Sequence, residues 1–170
     1  MSESLKAKMD AILTATGARG CVECGKCVAA CPMVEMYPDF RWEMSPRGII
    51  RRALTDDDLL QDPAIWCCTG CNVGTDVCPE GVSCRDLIQG LRRLAVETGR
   101  DDQIRPCAIC GTPFVPRPVE AFVQARLGHP AGDYLATCAV CRQHRYARHN
   151  AGAPSLRPDQ QQEQRKHDAG

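Results

Sequence analysis

The sequence predicts a mainly α chain organised around metal. Three observations lead there. Thirteen of the 170 residues are cysteine, far more than an ordinary core uses. Most of these cysteines stand in short runs of regular spacing. The segments between the runs carry apolar residues at helical spacing, and no strong strand alternation precedes residue 100.

Taken in order, Leu5, Met9, Ile12 and Leu13 recur at helical spacing and stop at Gly17, which predicts a first helix. Cys21-x2-Cys24-x2-Cys27-x3-Cys31-Pro32 follows, a spacing that holds iron-sulfur clusters in bacterial ferredoxins. Three thiolates on one tight loop can face three corners of a cube of iron and sulfide. The fourth, followed by proline, leaves the loop and reaches a second cluster in two-cluster proteins. Ser45-Pro46 then reads as a cap with proline at the first helical position, and Ile49, Ile50, Ala53 and Leu54 line one face of the predicted helix.

A partner run comes next. Trp66-Cys67-Cys68-Thr69-Gly70-Cys71 leads through Gly74 to Cys78-Pro79, so the run reads Cys68-x2-Cys71-x2-Gly74-x3-Cys78-Pro79. Three of its ligand positions are filled and the fourth is glycine. Ser83-x-x-Asp86 resembles a capping box with Asp for the usual Glu. It opens a helix whose Leu87, Ile88, Leu91, Leu94 and Ala95 form an apolar stripe ending at Gly99.

Phe, Trp and Tyr make up only 5% of the chain, so much of the folding energy is expected to come from metal binding. The N-terminus is polar, without an apolar run of signal-peptide length, and no transmembrane segment is expected. A cytoplasmic location follows, and in that reducing compartment clustered cysteines are metal ligands more often than disulfides. With 21 basic and 21 acidic side chains the formal net charge is zero, and no global field draws nucleic acid or anionic lipid. No nucleic acid is expected as a partner; another protein is.

The first run, Met44-Ser45-Pro46-Arg47-Gly48-Ile49-Ile50, Trp66-x-Cys68-x2-Cys71 and Cys78-Pro79-Glu80-Gly81-Val82 together resemble the C-type iron-sulfur subunit of heterodisulfide reductase. They are more distantly similar to the cluster domains of succinate dehydrogenase and anaerobic glycerol-3-phosphate dehydrogenase. The resemblance covers residues 1 to about 100 and implies an all-helical ferredoxin domain with two cubane clusters. It also implies an electron relay between a flavin-containing subunit and a catalytic one. Position by position, it implies that Cys21, Cys24, Cys27 and Cys78 hold a 4Fe-4S cluster, and that Cys31, Cys68 and Cys71 hold three irons of the second. Gly74 departs from the pattern. The second site is then a 3Fe-4S cluster, a 4Fe-4S cluster with a recruited fourth ligand, or absent. Cys67 and Cys84 are the thiol candidates, Thr75 and Asp76 weaker oxygen ones, and Cys84 has the competing reading of a small buried apolar residue.

Beyond residue 105 lie Cys107-Ala-Ile-Cys110-Gly111-Thr-Pro-Phe114 and Cys138-Ala-Val-Cys141. Two such pairs satisfy a tetrahedral four-thiolate zinc site, and Gly111 suits the tight turn of a knuckle. A single iron takes the same four thiolates. Between the pairs, Pro118 to Leu127 predicts a helix with Val119, Phe122, Val123 and Leu127 on one side. The first pair and its continuation are similar to the zinc tails of ferredoxin-like subunits of formate hydrogenlyase and related hydrogenases.

The expected organisation is an α-helical ferredoxin domain at 1–105, a zinc-ribbon-like module at 106–145 and a polar, partner-ordered or flexible tail at 146–170. Arg142, His144, Arg145, Arg148 and His149 form a local basic cluster, the one feature that favours a redox-sensing iron-sulfur and zinc regulator instead of a relay. His144, His149 and His167 are read as exposed. No Gly-rich nucleotide loop, nucleophile motif or catalytic metal triad points to a self-contained enzyme.

Overall fold

The computed structural model describes residues 3–55, 59–129 and 132–150. The first helix, α1 (Glu3–Ala15), buries Leu5, Met9 and Leu13, one apolar residue per turn. It ends where the Thr16 hydroxyl donates to the Ile12 carbonyl at 2.8 Å and Gly17 turns left-handed at φ 67°. Two single-turn helices, α2 (Lys26–Ala29) and α3 (Met33–Met36), flank the end of the first cysteine run.

Helix α4 (Pro46–Thr55) begins as its sequence predicts, with the Gly48 amide donating to the Ser45 hydroxyl at 3.2 Å. Ile49, Ile50 and Ala53 are buried, but Leu54 is 40% exposed. At 100° per residue it lies roughly 90° from the centre of the buried face, which corrects the stripe read from sequence.

Short helices α5 (Ala64–Cys67) and α6 (Val73–Asp76) bracket the second run. They lead into α7 (Cys84–Glu97), the central helix, which packs against α1, α4, α5 and α6. Its buried Leu87, Ile88, Leu91, Leu94 and Ala95 form the expected stripe. The capping box does not form: Ser83 donates its hydroxyl to the Asp86 carboxylate at 2.7 Å instead of capping a helix amide. Helices α1 and α7 approach closely because position 90 is glycine. A Cβ there would stand 2.9 Å from Cγ2 of Ile12.

The core runs from Leu5 to Ala95, with Ile104 packed on its edge. Beyond it, β1 (Ile104–Pro106) pairs antiparallel with β2 (Pro113–Pro116), Arg105 facing Val115, with a register irregularity at Arg105/Pro106. This is the only sheet among the described residues. Helix α8 (Arg117–Leu127) has the expected proline in its first turn and ends at left-handed Gly128. It lies against α5, with Phe122 6.3 Å from the Tyr37 ring. Leu127 at its end is 43% exposed. Helix α9 (Ala139–Asn150) runs on from the second cysteine pair and crosses position 145. The tail from 151, with His167, lies outside the described residues. No helix among those described is long and apolar enough to cross a membrane.

Candidate metal centres

All the cysteines of the first 100 residues except Cys67 gather around two hollows. Cys21, Cys24 and Cys27 enter the first from the loop before α2 and its opening turn, where Gly25 takes φ 82°. Cys78 joins them from the far run, on the turn after α6. The hollow has apolar walls at Ile50 and Val82. The Val82 amide donates to the Cys78 sulfur at 3.3 Å. Arg47 also lines this hollow, and its buried Nε meets no hydrogen-bond partner among the described residues. Its terminal nitrogen pairs with Glu23 at 2.8 Å, which holds the Glu23 carboxyl below its ordinary range.

The second hollow takes Cys31 from the end of the first run and Cys68 and Cys71 from the second. Cys31 and Cys68 are buried, and burial raises both thiols. The Gly70 amide donates to the Cys68 sulfur at 3.3 Å.

Gly74 stands in the wall of the second hollow, and Cys84, 3% exposed at the start of α7, lines both. The Cys84 thiol donates to the Gly74 carbonyl at 3.5 Å and also meets the Cys27 sulfur. The interaction between the two sulfurs lowers Cys27 to about 6 and raises Cys84 well above an ordinary thiol. Cys67 lines neither hollow. It is buried on the side of Asp39 and Asp62, and its carbonyl accepts from the Tyr37 hydroxyl at 2.9 Å. Burial there pushes Tyr37 up to about 12. Thr75 accepts from the Arg85 amide and Asp76 from the Asn72 side chain, and neither reaches a hollow.

Sequence reading missed two cations. Arg47 lies inside a motif singled out as a pattern, with no role attached to its charge. Arg92 sits four residues after buried Ile88 on α7, and that place on the stripe was the signal that could have found it. Its guanidinium turns inward over Trp66, 5.7 Å from the ring centre, and donates to the carbonyls of Ile65 at 2.7 Å and Cys68. Burial lowers its pKa, while the neighbouring Cys68 and Cys67 oppose that shift. The two carbonyls are neutral and leave its charge to be balanced by thiolates.

The donor sets fit iron-sulfur chemistry. Each hollow is lined by cysteine sulfur, walled by apolar side chains and supplied with amide donors to sulfur. In the first, an orphaned guanidinium nitrogen adds a further donor.

A third group lies in the C-terminal region. The four sulfurs of Cys107, Cys110, Cys138 and Cys141 are within 4.8 Å of one another. The β1–β2 hairpin presents the first pair: the Cys107 amide donates to Thr112 and the Gly111 amide to Cys107, with Gly111 at φ 73°. The second pair opens α9. Cys110 and Cys138 sulfurs are 3.8 Å apart, and a tetrahedral ion with bonds near 2.3 Å requires edges of about 3.8 Å. Cys107 is lowered to about 6 by the amides of Cys110 and Cys138, whereas Cys141 is raised to about 12 by its hydrogen bond with Cys110.

Comparison with known proteins agrees with this geometry at the level of class. Residues 17–82 match the model of the 4Fe-4S dicluster domain family, a stretch containing both ferredoxin-like runs. The same part of the chain is similar to the C-type iron-sulfur subunits of heterodisulfide reductases. It is 34% identical over 79 residues to a heterodisulfide reductase C-type subunit-like protein of Archaeoglobus profundus, covering 45% of this chain and 40% of that one. It is 36% identical over 80 residues to the C-type subunit of the ferredoxin:CoB-CoM heterodisulfide reductase of Methanosarcina mazei, covering 46% and 47%. A longer relative, the B-type subunit of the fumarate reductase (CoM/CoB) of Methanothermobacter marburgensis, is 30% identical over 88 residues, 48% of this chain and 18% of that protein. The chain therefore spans less than half the length of each of these relatives, and the C-terminal cysteine pairs lie outside the stretch matched by the family model.

Proposed function

We propose that the protein is an electron-transfer component of a multi-subunit oxidoreductase of heterodisulfide reductase type, relaying electrons between a flavin-containing subunit and a catalytic one. One observation carries the reading: two hollows share a wall, since Cys27 and Cys84 line both, and each draws cysteines from both runs. Cys21, Cys24, Cys27 and Cys78 hold a 4Fe-4S cluster, and Cys31, Cys68 and Cys71 hold a second. Bound there, the clusters supply one-electron chemistry at potentials set by cluster type, net charge and hydrogen bonds to sulfur. The chain's part is to hold those thiolates, exclude water with Ile50 and Val82 at the first hollow, and balance negative charge with Arg47 and Arg92.

Cys107, Cys110, Cys138 and Cys141 bind a structural zinc. With four thiolates the shell is closed, and the module at 106–145 serves docking instead of chemistry. The cluster domain spans 1–105 and the tail 146–170. A cytoplasmic location agrees with thirteen cysteines kept as thiols and metal ligands. The regulator reading loses part of its basis, because Arg142 is committed to the fold. Its guanidinium lies 4.0 Å from the Tyr134 ring and donates to the Tyr134 carbonyl at 3.0 Å.

The test is metal and sulfide analysis with electron paramagnetic resonance on protein purified without oxygen from its native host. Two distinct iron-sulfur signals together with one equivalent of zinc are expected. A single cluster, or no acid-labile sulfide, overturns the relay, and iron in place of zinc at the third centre overturns its structural assignment.

A further inference from the structure

We infer that Cys84 supplies the fourth ligand of the second site, standing in for the side chain that Gly74 lacks; the inference rests on the two-cluster reading above. Cys84 lines both hollows, but their needs differ. The first is lined by Cys21, Cys24, Cys27 and Cys78; the second is lined by Cys31, Cys68 and Cys71 together with Cys27, which the first cluster already takes as its own ligand.

The geometry at Gly74 shows how the substitution works. A Cβ built on Gly74 would lie 3.4 Å from the Cβ of Cys84, and the Cys84 sulfur lies 3.5 Å from the Gly74 carbonyl oxygen. A thiol carried by α7 at position 84 thus starts in van der Waals contact with the point from which one carried by α6 at position 74 would start. The same Cβ would meet Cγ of Pro46 at 3.3 Å and Cβ of Cys27 at 3.6 Å. Glycine leaves the wall thin at the place where α7 brings its own sulfur in.

The rival donors are spoken for. Cys67 lines neither hollow, and Thr75 and Asp76 are engaged in local hydrogen bonds. On ligation the Cys84 thiol gives up its proton to solvent, directly or through a neighbouring base, and its sulfur forms a bond to the fourth iron with no change of oxidation state. The second site is then a complete cubane with four thiolates. It serves as a way station of the relay, and its Cys84 ligand lies beside Cys27, a ligand of the first cluster.

The competing role for Cys84 is a hydrogen-bond donor to the Cys27 sulfur. Cys84→Ala distinguishes the two, using the full chain purified without oxygen. Iron content, Mössbauer spectra and electron paramagnetic resonance are the readouts. The wild type is expected to hold about eight irons and Cys84→Ala about seven, with a three-iron signal appearing at the second site. Adding Gly74→Cys to Cys84→Ala is expected to restore the lost iron. If Cys84→Ala keeps both cubanes and changes only the first cluster's spectrum, Cys84 is a donor to Cys27 and the inference falls. A three-iron cluster in untreated wild type also sinks it. Should the alanine variant fail to fold, Cys84→Ser decides: oxygen ligation alters the second cluster's spectrum, and an unchanged second cluster overturns the assignment. Absence of any cluster from the wild type would instead remove the relay reading itself.

Discussion

The Cβ of Cys84 stands 3.4 Å from the point where a side chain on Gly74 would begin. A gap in one cysteine run therefore faces a cysteine outside both runs, across the crossing of α6 and α7. In the ligation proposed above, Cys84 supplies the donor that Gly74 lacks. In this arrangement a vacancy in the motif need not be a vacancy in the site.

Crossed ligation makes a sharp prediction about Cys78. It belongs to the second run in sequence, yet it lines the first hollow with Cys21, Cys24 and Cys27. Cys78→Ser is expected to alter or abolish the first cluster and leave the second cluster's resonance in place. Loss of the second signal with the first intact would show that each run ligates its own cluster.

Arg92 should set the potential of the second cluster. Its guanidinium hydrogen-bonds the Cys68 carbonyl and the sulfur-bearing residue lies directly beside it. Positive charge favours the reduced, more negative cluster, so removing it makes reduction harder. Arg92→Leu is expected to lower that potential by on the order of 100 mV, since a unit charge about 8 Å away at an effective dielectric of about 20 contributes about 2 kcal/mol. Arg92→Lys should keep most of the potential while losing the paired hydrogen bonds. Redox titration followed by paramagnetic resonance reads both, and equal shifts in the two clusters would contradict the placement.

Gly48 is required by backbone contact. A Cβ there would lie 2.3 Å from the Trp42 carbonyl oxygen, an atom that cannot swing aside. Gly48→Ala is expected to cost about 1–3 kcal/mol in denaturant unfolding. Because α4 also carries Arg47 and Ile50 on the wall of the first hollow, the first cluster should be lost more readily than the second. A variant as stable as wild type would refute the close approach.

The third centre should respond to pH even without metal. Cys107 is lowered from 9.0 to about 6 by backbone amides. A thiol with a depressed folded pKa stabilises the fold fully above its unfolded value, and that contribution is lost as pH falls through about 6. The amides of Ile109 and Cys138 donate to this sulfur at 3.5 and 3.3 Å. In chelated protein their hydrogen-exchange protection, corrected for intrinsic rate, is expected to fall between pH 9 and 5. Constant protection over that range would exclude the thiolate as their acceptor. Zinc should restore protection at every pH where the thiolates can form.

Much of this protein is local in origin and was therefore legible in its residues. Helical period marked α1, most of α4 and α7, because one buried face per helix needs only neighbours in sequence. Proline and glycine marked the ends of α8, and the Cys-x2-Cys pairs marked the four sulfurs that the hairpin and α9 bring together. Capping was less legible: Ser45 receives its amide, whereas Ser83 bonds Asp86, since two good acceptors and donors in one turn can satisfy each other. Leu54 failed as a core residue because a stripe has edges that only the packed neighbours define.

What tertiary structure alone decided concerns sulfur and charge across helices. Cys67 and Cys68 are adjacent, yet the last turn of α5 sends one toward Asp39 and Asp62 and the other into the second hollow. Cys84 gained its position from the approach of α7 to Gly74, and Arg92 gained its role from facing Cys68 across a helix pair. Spacing along the chain determines which cysteines can share a loop. Which thiol closes a site depends on distances between segments that sequence order leaves free, and those are set by the packing of the apolar faces behind them.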